Sequence, residues 1–95
     1  MKEIIKLVAI QLVCEALVGC NFNRTQAAKV LGMSRKYVQE AINSHRITDE
    51  KAKVIATWNM TDIRRLVKNG FPNLQGETTK SLEETTSEIR KDRLN

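Results

Sequence analysis

Residues 23–42 read NRTQAAKVLGMSRKYVQEAI, and this stretch restricts the fold more than any other. It has the spacing of two short helices joined by a sharp turn. Asn23 stands where an N-cap is needed, because its amide oxygen can accept from a backbone N–H of the first turn. A helix then runs over about Thr25–Leu31. Gly32 admits the positive φ of a tight turn, where a Cβ would clash. Ser34 caps the next helix, over about Arg35–Ser44. Ala28 supplies a small side chain where the two helices cross. Gly32 follows four residues later and Val38 six after that. Ala27, Leu31, Met33 and Ile42 complete the apolar contacts. The pattern predicts a helix-turn-helix, a unit that places its second helix in the major groove of DNA. A plain helical hairpin in a bundle shares parts of it.

The preceding segment, KEIIKLVAIQLVCEALV over residues 2–18, has no Gly or Pro and reads as one helix. Its polar positions are Lys2, Lys6, Gln11 and Glu15. The rest is apolar nearly all round, so it must be covered on more than one face. Either the later helices wrap it or a second copy of the chain does. Gly19 is its expected stop, and Phe22 is placed to staple the following helix to it.

Beyond the central unit, Thr48-Asp49-Glu50 looks like a helix start, with carboxylates where the helix dipole favours them. That helix reaches to about Trp58 and buries Ala52, Ile55, Ala56 and either Trp58 or Val54. A fifth begins at Thr61-Asp62 with Ile63, Leu66 and Val67 on one face. Asn69-Gly70 ends it, Phe71 folds back and Pro72 blocks continuation. Residues 73–95 are polar, with few large apolar residues, Leu82, Ile89 and Leu94 among them. They read as a mobile tail, with capping-box spacing from Ser81 to Glu84. The expectation is an all-α domain of about five helices over residues 1–72, followed by a polar tail over 73–95. No stretch alternates like a strand.

The net charge is +5 and the pI about 9.5. Residues 1–75 hold 12 Lys+Arg against 6 Asp+Glu, and residues 76–95 hold 4 against 5, so the basic character belongs to the ordered part. That balance suits a polyanionic partner. Cys14 and Cys20 are six apart, and His45 is the single histidine, which matches neither a CxxC pair nor a zinc pattern. No metal and no cofactor are expected. No nucleophile–base pair, phosphate loop or HExxH is present, so an enzyme is not expected. The first helix is too short and too polar to span a bilayer, and the expected setting is a cytoplasmic, nucleoid-associated one.

At Asn23, Thr25, Ala27, Ala28, Leu31, Gly32, Met33, Ser34 and Arg35 the chain resembles the Fis-type helix-turn-helix family. The family pattern is N-x-T-x-A-A, then L-G-[IM]-[SN]-R, then a basic helix. The resemblance covers about residues 2–46. It implies a homodimer built on the long first helix, with Ile5, Val8, Leu12 and Val13 as the pairing residues. It implies duplex DNA as the ligand. Family members stop soon after the recognition helix, whereas residues 47–95 continue here.

Helix geometry then assigns the contacts. Val38, Ala41 and Ile42 face inward. Arg35, Lys36, Gln39, Glu40 and Asn43 face outward as the base-reading set. Arg35 and Lys36 lie in the turn that enters the groove, where arginine pairs with guanine. Gln39 can read adenine. Glu40 either accepts from a cytosine amino group or orients Arg35 or Lys36. Arg24, Thr25, Gln26, Ser34, Tyr37 and Arg46 are the candidate phosphate contacts. Lys51, Lys53, Arg64, Arg65 and Lys68 form a possible second basic surface. The reading is a sequence-specific transcriptional regulator of bacterial, phage or plasmid type. Its competitors are a DNA-bending architectural protein and a helical adaptor, and residues 73–95 are a candidate protein-partner segment.

Overall fold

The computed structural model describes residues 2–70 and 73–91. The described residues form six helices and no strand: α1 (Lys2–Gly19), α2 (Arg24–Leu31), α3 (Arg35–Ser44), α4 (Asp49–Ala56), α5 (Met60–Lys68) and α6 (Thr79–Lys91). The expected roles of Phe71, Pro72 and Leu94 lie outside the described residues.

The chain wraps α1, as an all-round apolar helix requires. α4 lies alongside it, with α2, α3 and α5 against other parts of its surface. Leu7, Ile10, Val13, Cys14, Ala16 and Leu17 are all buried by these neighbours. Gln11 faces inward as well, which corrects its reading as a solvated position. Its Nε2 donates to the Ala56 carbonyl at 3.0 Å and to Glu15 Oε2 at 3.1 Å. A helix C-terminus leaves carbonyls without intrahelical donors. Gln11 thus satisfies one at the end of α4.

α1 ends at Gly19, and the reversal that follows is made by Asn21 and Phe22, with φ of 54° and 65°. The Phe22 N–H returns to the Leu17 carbonyl at 2.7 Å. The Phe22 ring packs against the core, and Lys53 Nζ sits 5.8 Å from its centroid. The aromatic side chain therefore brings the α1–α2 turn up against Lys53 of α4.

α5 starts at Met60, one residue before the Thr61-Asp62 signal. Asn59 is the N-cap, and Asp62 closes a reciprocal capping box: Asn59 Oδ1 accepts from Asp62 N–H at 2.8 Å, and Asp62 Oδ2 from Asn59 N–H at 3.0 Å. Asn and Asp satisfy this geometry as Ser and Glu do in the commoner form.

The largest departure is the segment expected to be a mobile tail. Residues 79–91 form α6, which packs on α4 and α5. Leu82 and Ile89 enter the core beside Trp58, which is itself buried just past the end of α4. Leu82, Thr86 and Ile89 recur at i, i+4 and i+7, one stripe of a helix. The cap is Thr78 with Ser81, whose hydroxyls accept from each other's backbone N–H at 3.0 and 2.9 Å, in place of the Ser81–Glu84 box. Trp58 Nε1 donates to Thr86 Oγ1 at 2.9 Å, and that hydroxyl donates to the Leu82 carbonyl at 2.7 Å. Arg90 reaches the fully buried Asp62 at 2.9 Å and the Thr57 carbonyl at 3.1 Å. Arg65 donates to the Ile89 carbonyl at 2.9 Å.

Lys51 is not part of a basic surface. It is buried, and its Nζ donates to the Leu74 carbonyl at 2.9 Å and the Arg46 carbonyl at 3.2 Å. Buried charges persist where backbone carbonyls satisfy their donors. This one clamps the α3–α4 turn to the strap leading into α6. Gln75 on the same strap donates to the Ser44 carbonyl at the end of α3.

Candidate nucleic-acid interface

The α2–α3 unit is built as its caps require. Asn23 Oδ1 accepts from Gln26 N–H at 2.9 Å, and Ser34 Oγ from Tyr37 N–H at 3.1 Å. Gly32 has φ 69° and ψ 30°, the left-handed region. The Met33 N–H closes back to the Ala28 carbonyl at 2.9 Å, which ends α2 as a glycine-centred stop. Ala27 and Ala28 are buried at the crossing, with Val38 and Ile42 opposite them on the inner face of α3. Ala41 and Leu31 are half-buried. Met33 is a correction: it is 49% exposed and contributes little to the inter-helix contact.

The other face of α3 is open. Arg35, Lys36, Glu40 and Asn43 are exposed and Gln39 is half-buried. Among the described residues no element covers this face, and the strap leading into α6 reaches α3 only at its C-terminal end. Between Asn23 and Arg46 the sequence places Arg24, Lys29, Arg35, Lys36 and Arg46 against a single carboxylate, Glu40. Thr25 and Gln26 are exposed at the start of α2, as is Ser34 at the start of α3. Tyr37 is 40% exposed, and Arg46 is exposed with φ 48°.

Arg24 is bound differently from the expectation of a phosphate contact. Its Nη1 donates to Gln39 Oε1 at 3.0 Å, and Gln39 Nε2 donates to Asn43 Oδ1 at 2.9 Å. Three side chains from two helices form one hydrogen-bonded line across the open face. The sequence held no signal for this link, because Arg24 and Gln39 meet only once the turn has folded.

Beneath the same helix, α1 and α3 enclose a cleft of about 360 Å³ between Lys6, Ile10, Tyr37, Ala41 and His45. Burial first, and the Lys6 charge second, hold the His45 imidazole below its usual pKa. The pairing residues on α1 divide. Ile5 and Leu12 are 65% and 46% exposed, and Val8 is half-buried beside them. Val13 is 3% exposed and belongs to the core, so it is removed from the pairing set. The remaining three fall at i, i+3 and i+7 and share one face. Among the described residues no group of three or more His, Cys, Asp or Glu could hold a metal ion. No helix there is long and apolar enough to cross a membrane.

Compared with known proteins, the chain matches no family model, no curated protein and no solved structure. The functional reading therefore rests on the geometry of the α2–α3 unit and on the motif it carries.

Proposed function

We propose that this chain binds duplex DNA in a sequence-specific manner, as a transcriptional regulator acting as a homodimer. The observation that carries the reading is the uncovered polar face of α3. A glycine elbow and two side-chain caps present it, and its inner face is locked by Val38 and Ile42. A polar outer face is ordinary for a surface helix; this one adds two cations, Arg35 and Lys36, in the first turn that the elbow presents. Arg35 and Lys36 at its N-terminal turn are suited to guanine or phosphate, and the amides of Gln39 and Asn43 to base edges. Thr25, Gln26, Ser34, Tyr37 and Arg46 ring this face and are suited to backbone contacts.

Dimer formation is supported by the apolar stripe Ile5, Val8 and Leu12, which the fold leaves uncovered or only partly covered on α1. A second copy would bring two α3 helices into successive major grooves about 34 Å apart.

The test is selection of bound sequences from a random duplex pool, followed by affinity measurement on the selected site. A regulator prefers its site by roughly 10³-fold or more over random duplex. A far smaller ratio with bent DNA would favour an architectural role. Arg35→Ala is expected to weaken specific binding by about 1–3 kcal/mol, and Lys80→Ala, on the exposed side of α6, to change it little. Lys51 is no suitable control, because its ammonium is structural. Equal losses at Arg35 and Lys80 would mean that α3 is not the reading element. Sedimentation of Leu12→Asp tests the dimer, and a wild-type monomer at working concentration would refute it.

A further inference from the structure

We infer that Arg24 is a positioning residue, which fixes the amide of Gln39 so that Gln39 reads adenine. The inference deepens the proposed DNA-binding role and rests on it. Its basis is the direction of the hydrogen-bonded line Arg24, Gln39, Asn43. A guanidinium has donors and no acceptor. Whatever it meets on Gln39 must be the oxygen. The Gln39 nitrogen is thereby turned toward Asn43, which must answer with its own oxygen. The donor-only end of the chain sets the orientation of both amides.

Counting what remains gives the specificity. An amide oxygen accepts twice and an amide nitrogen donates twice. Gln39 has given one of each to its neighbours and keeps one N–H and one lone pair. Adenine offers an acceptor at N7 and a donor at N6 in the major groove, which is the complement of that pair. Asn43 has spent only an oxygen lone pair and keeps both N–H donors on an exposed side chain. Without Arg24 the Gln39 amide could rotate by half a turn and offer the same atoms reversed. Holding it in place limits the loss of side-chain freedom on binding.

This role differs from a phosphate contact in what its removal does. A lost phosphate contact weakens all sequences alike and lowers the salt slope by about one. A lost positioning contact lowers the preference for one base and leaves the salt slope unchanged. The experiment compares wild type, Arg24→Met, Gln39→Ala and Gln39→Glu on duplexes varied at each position of the selected half-site, at several salt concentrations. Wild type should prefer adenine at one position by about tenfold, the order of discrimination one bidentate pair supplies. Gln39→Ala should abolish that preference. Gln39→Glu, which can only accept, should move it to cytosine. Arg24→Met should cut the adenine preference several-fold at constant salt slope. A uniform loss with a reduced slope would make Arg24 a phosphate clamp and overturn the inference.

A second readout needs no DNA. The side-chain amide resonances of Gln39 and Asn43 should both move in Arg24→Met, with helicity and melting temperature retained. Unmoved amides would overturn the inference whatever the binding data show. Wild-type protein that binds no duplex while both amides move would sink the DNA reading and leave the orienting contact standing.

Discussion

Leu82→Ala asks whether α6 is part of the folded body. Leu82 is fully buried. Truncation to alanine removes three carbons from the core, worth about 2.4 kcal/mol at ~0.8 kcal/mol per buried methylene. The vacated space adds a cavity cost, because the surroundings relax only in part, and buried Leu→Ala changes span about 3–5 kcal/mol. We expect about 3 kcal/mol here, since α6 packs on α4 and α5 along one side and can settle inward. A domain of this size has roughly 5–14 kcal/mol in total. The variant should therefore stay folded but melt earlier, by roughly 12–24 °C at ~4–8 °C per kcal/mol. Trp58 is the sole tryptophan, and its indole N–H bonds to Thr86 on the same helix, so its fluorescence reports the contact in a urea titration. Glu84→Ala, on the exposed side of α6, is the control and should stay within about 0.5 kcal/mol. If the two variants have equal midpoints, α6 is not packed on the core, and the segment is a tail after all.

Three further outcomes are expected. Gly32→Ala should cost about 1–2 kcal/mol from backbone conformation alone, since φ is +69° and nothing lies within 4 Å of the added Cβ; Gly32→Asn should cost less, and equal urea midpoints for wild type and Gly32→Ala would refute the left-handed elbow. His45 has a lowered pKa in the folded state, so the unfolded chain binds the extra proton more readily. Stability should fall as pH drops through the usual histidine value of 6.5 toward the lowered folded pKa, and His45→Gln should remove that component; an unchanged pH slope in the variant would contradict it. The Cys14 thiol is pushed up to about 12 by burial, so a thiol reagent should modify half-buried Cys20 first and reach Cys14 only on unfolding; equal rates for both in the folded protein would argue against the core position of α1.

Local chemistry made the central unit legible. Asn23, Gly32, Ser34 and Thr48 each act within a turn of their own position, so their cap and turn roles follow from residue type and spacing. Helix periodicity also marked Val38 and Ile42 as inward and Arg35, Lys36 and Asn43 as outward. α6 escaped because its stripe has only Leu82 and Ile89 as large apolar members, with Thr86 between them. A threonine reads as polar until a buried donor is known to meet it, and that donor is the indole of Trp58, 28 residues earlier. Lys51 and Arg65 escaped for the same reason, since their partners are carbonyls 23 and 24 residues away.

On α1, sequence alone required that an apolar helix be covered on several faces. It left open whether the chain's own helices or a second copy would do so. Packing decided that: Val13 went inward, while Ile5 and Leu12 stayed open. The helical class, the caps at Asn23, Ser34 and Thr48 and the Gly32 elbow followed from the sequence itself, because each depends on interactions between residues a few positions apart. The Asp62–Arg90 pair, the Lys51 clamp and the Arg24–Gln39–Asn43 line were decided only by the fold. Their partners are brought together by long-range burial, which local residue patterns do not encode.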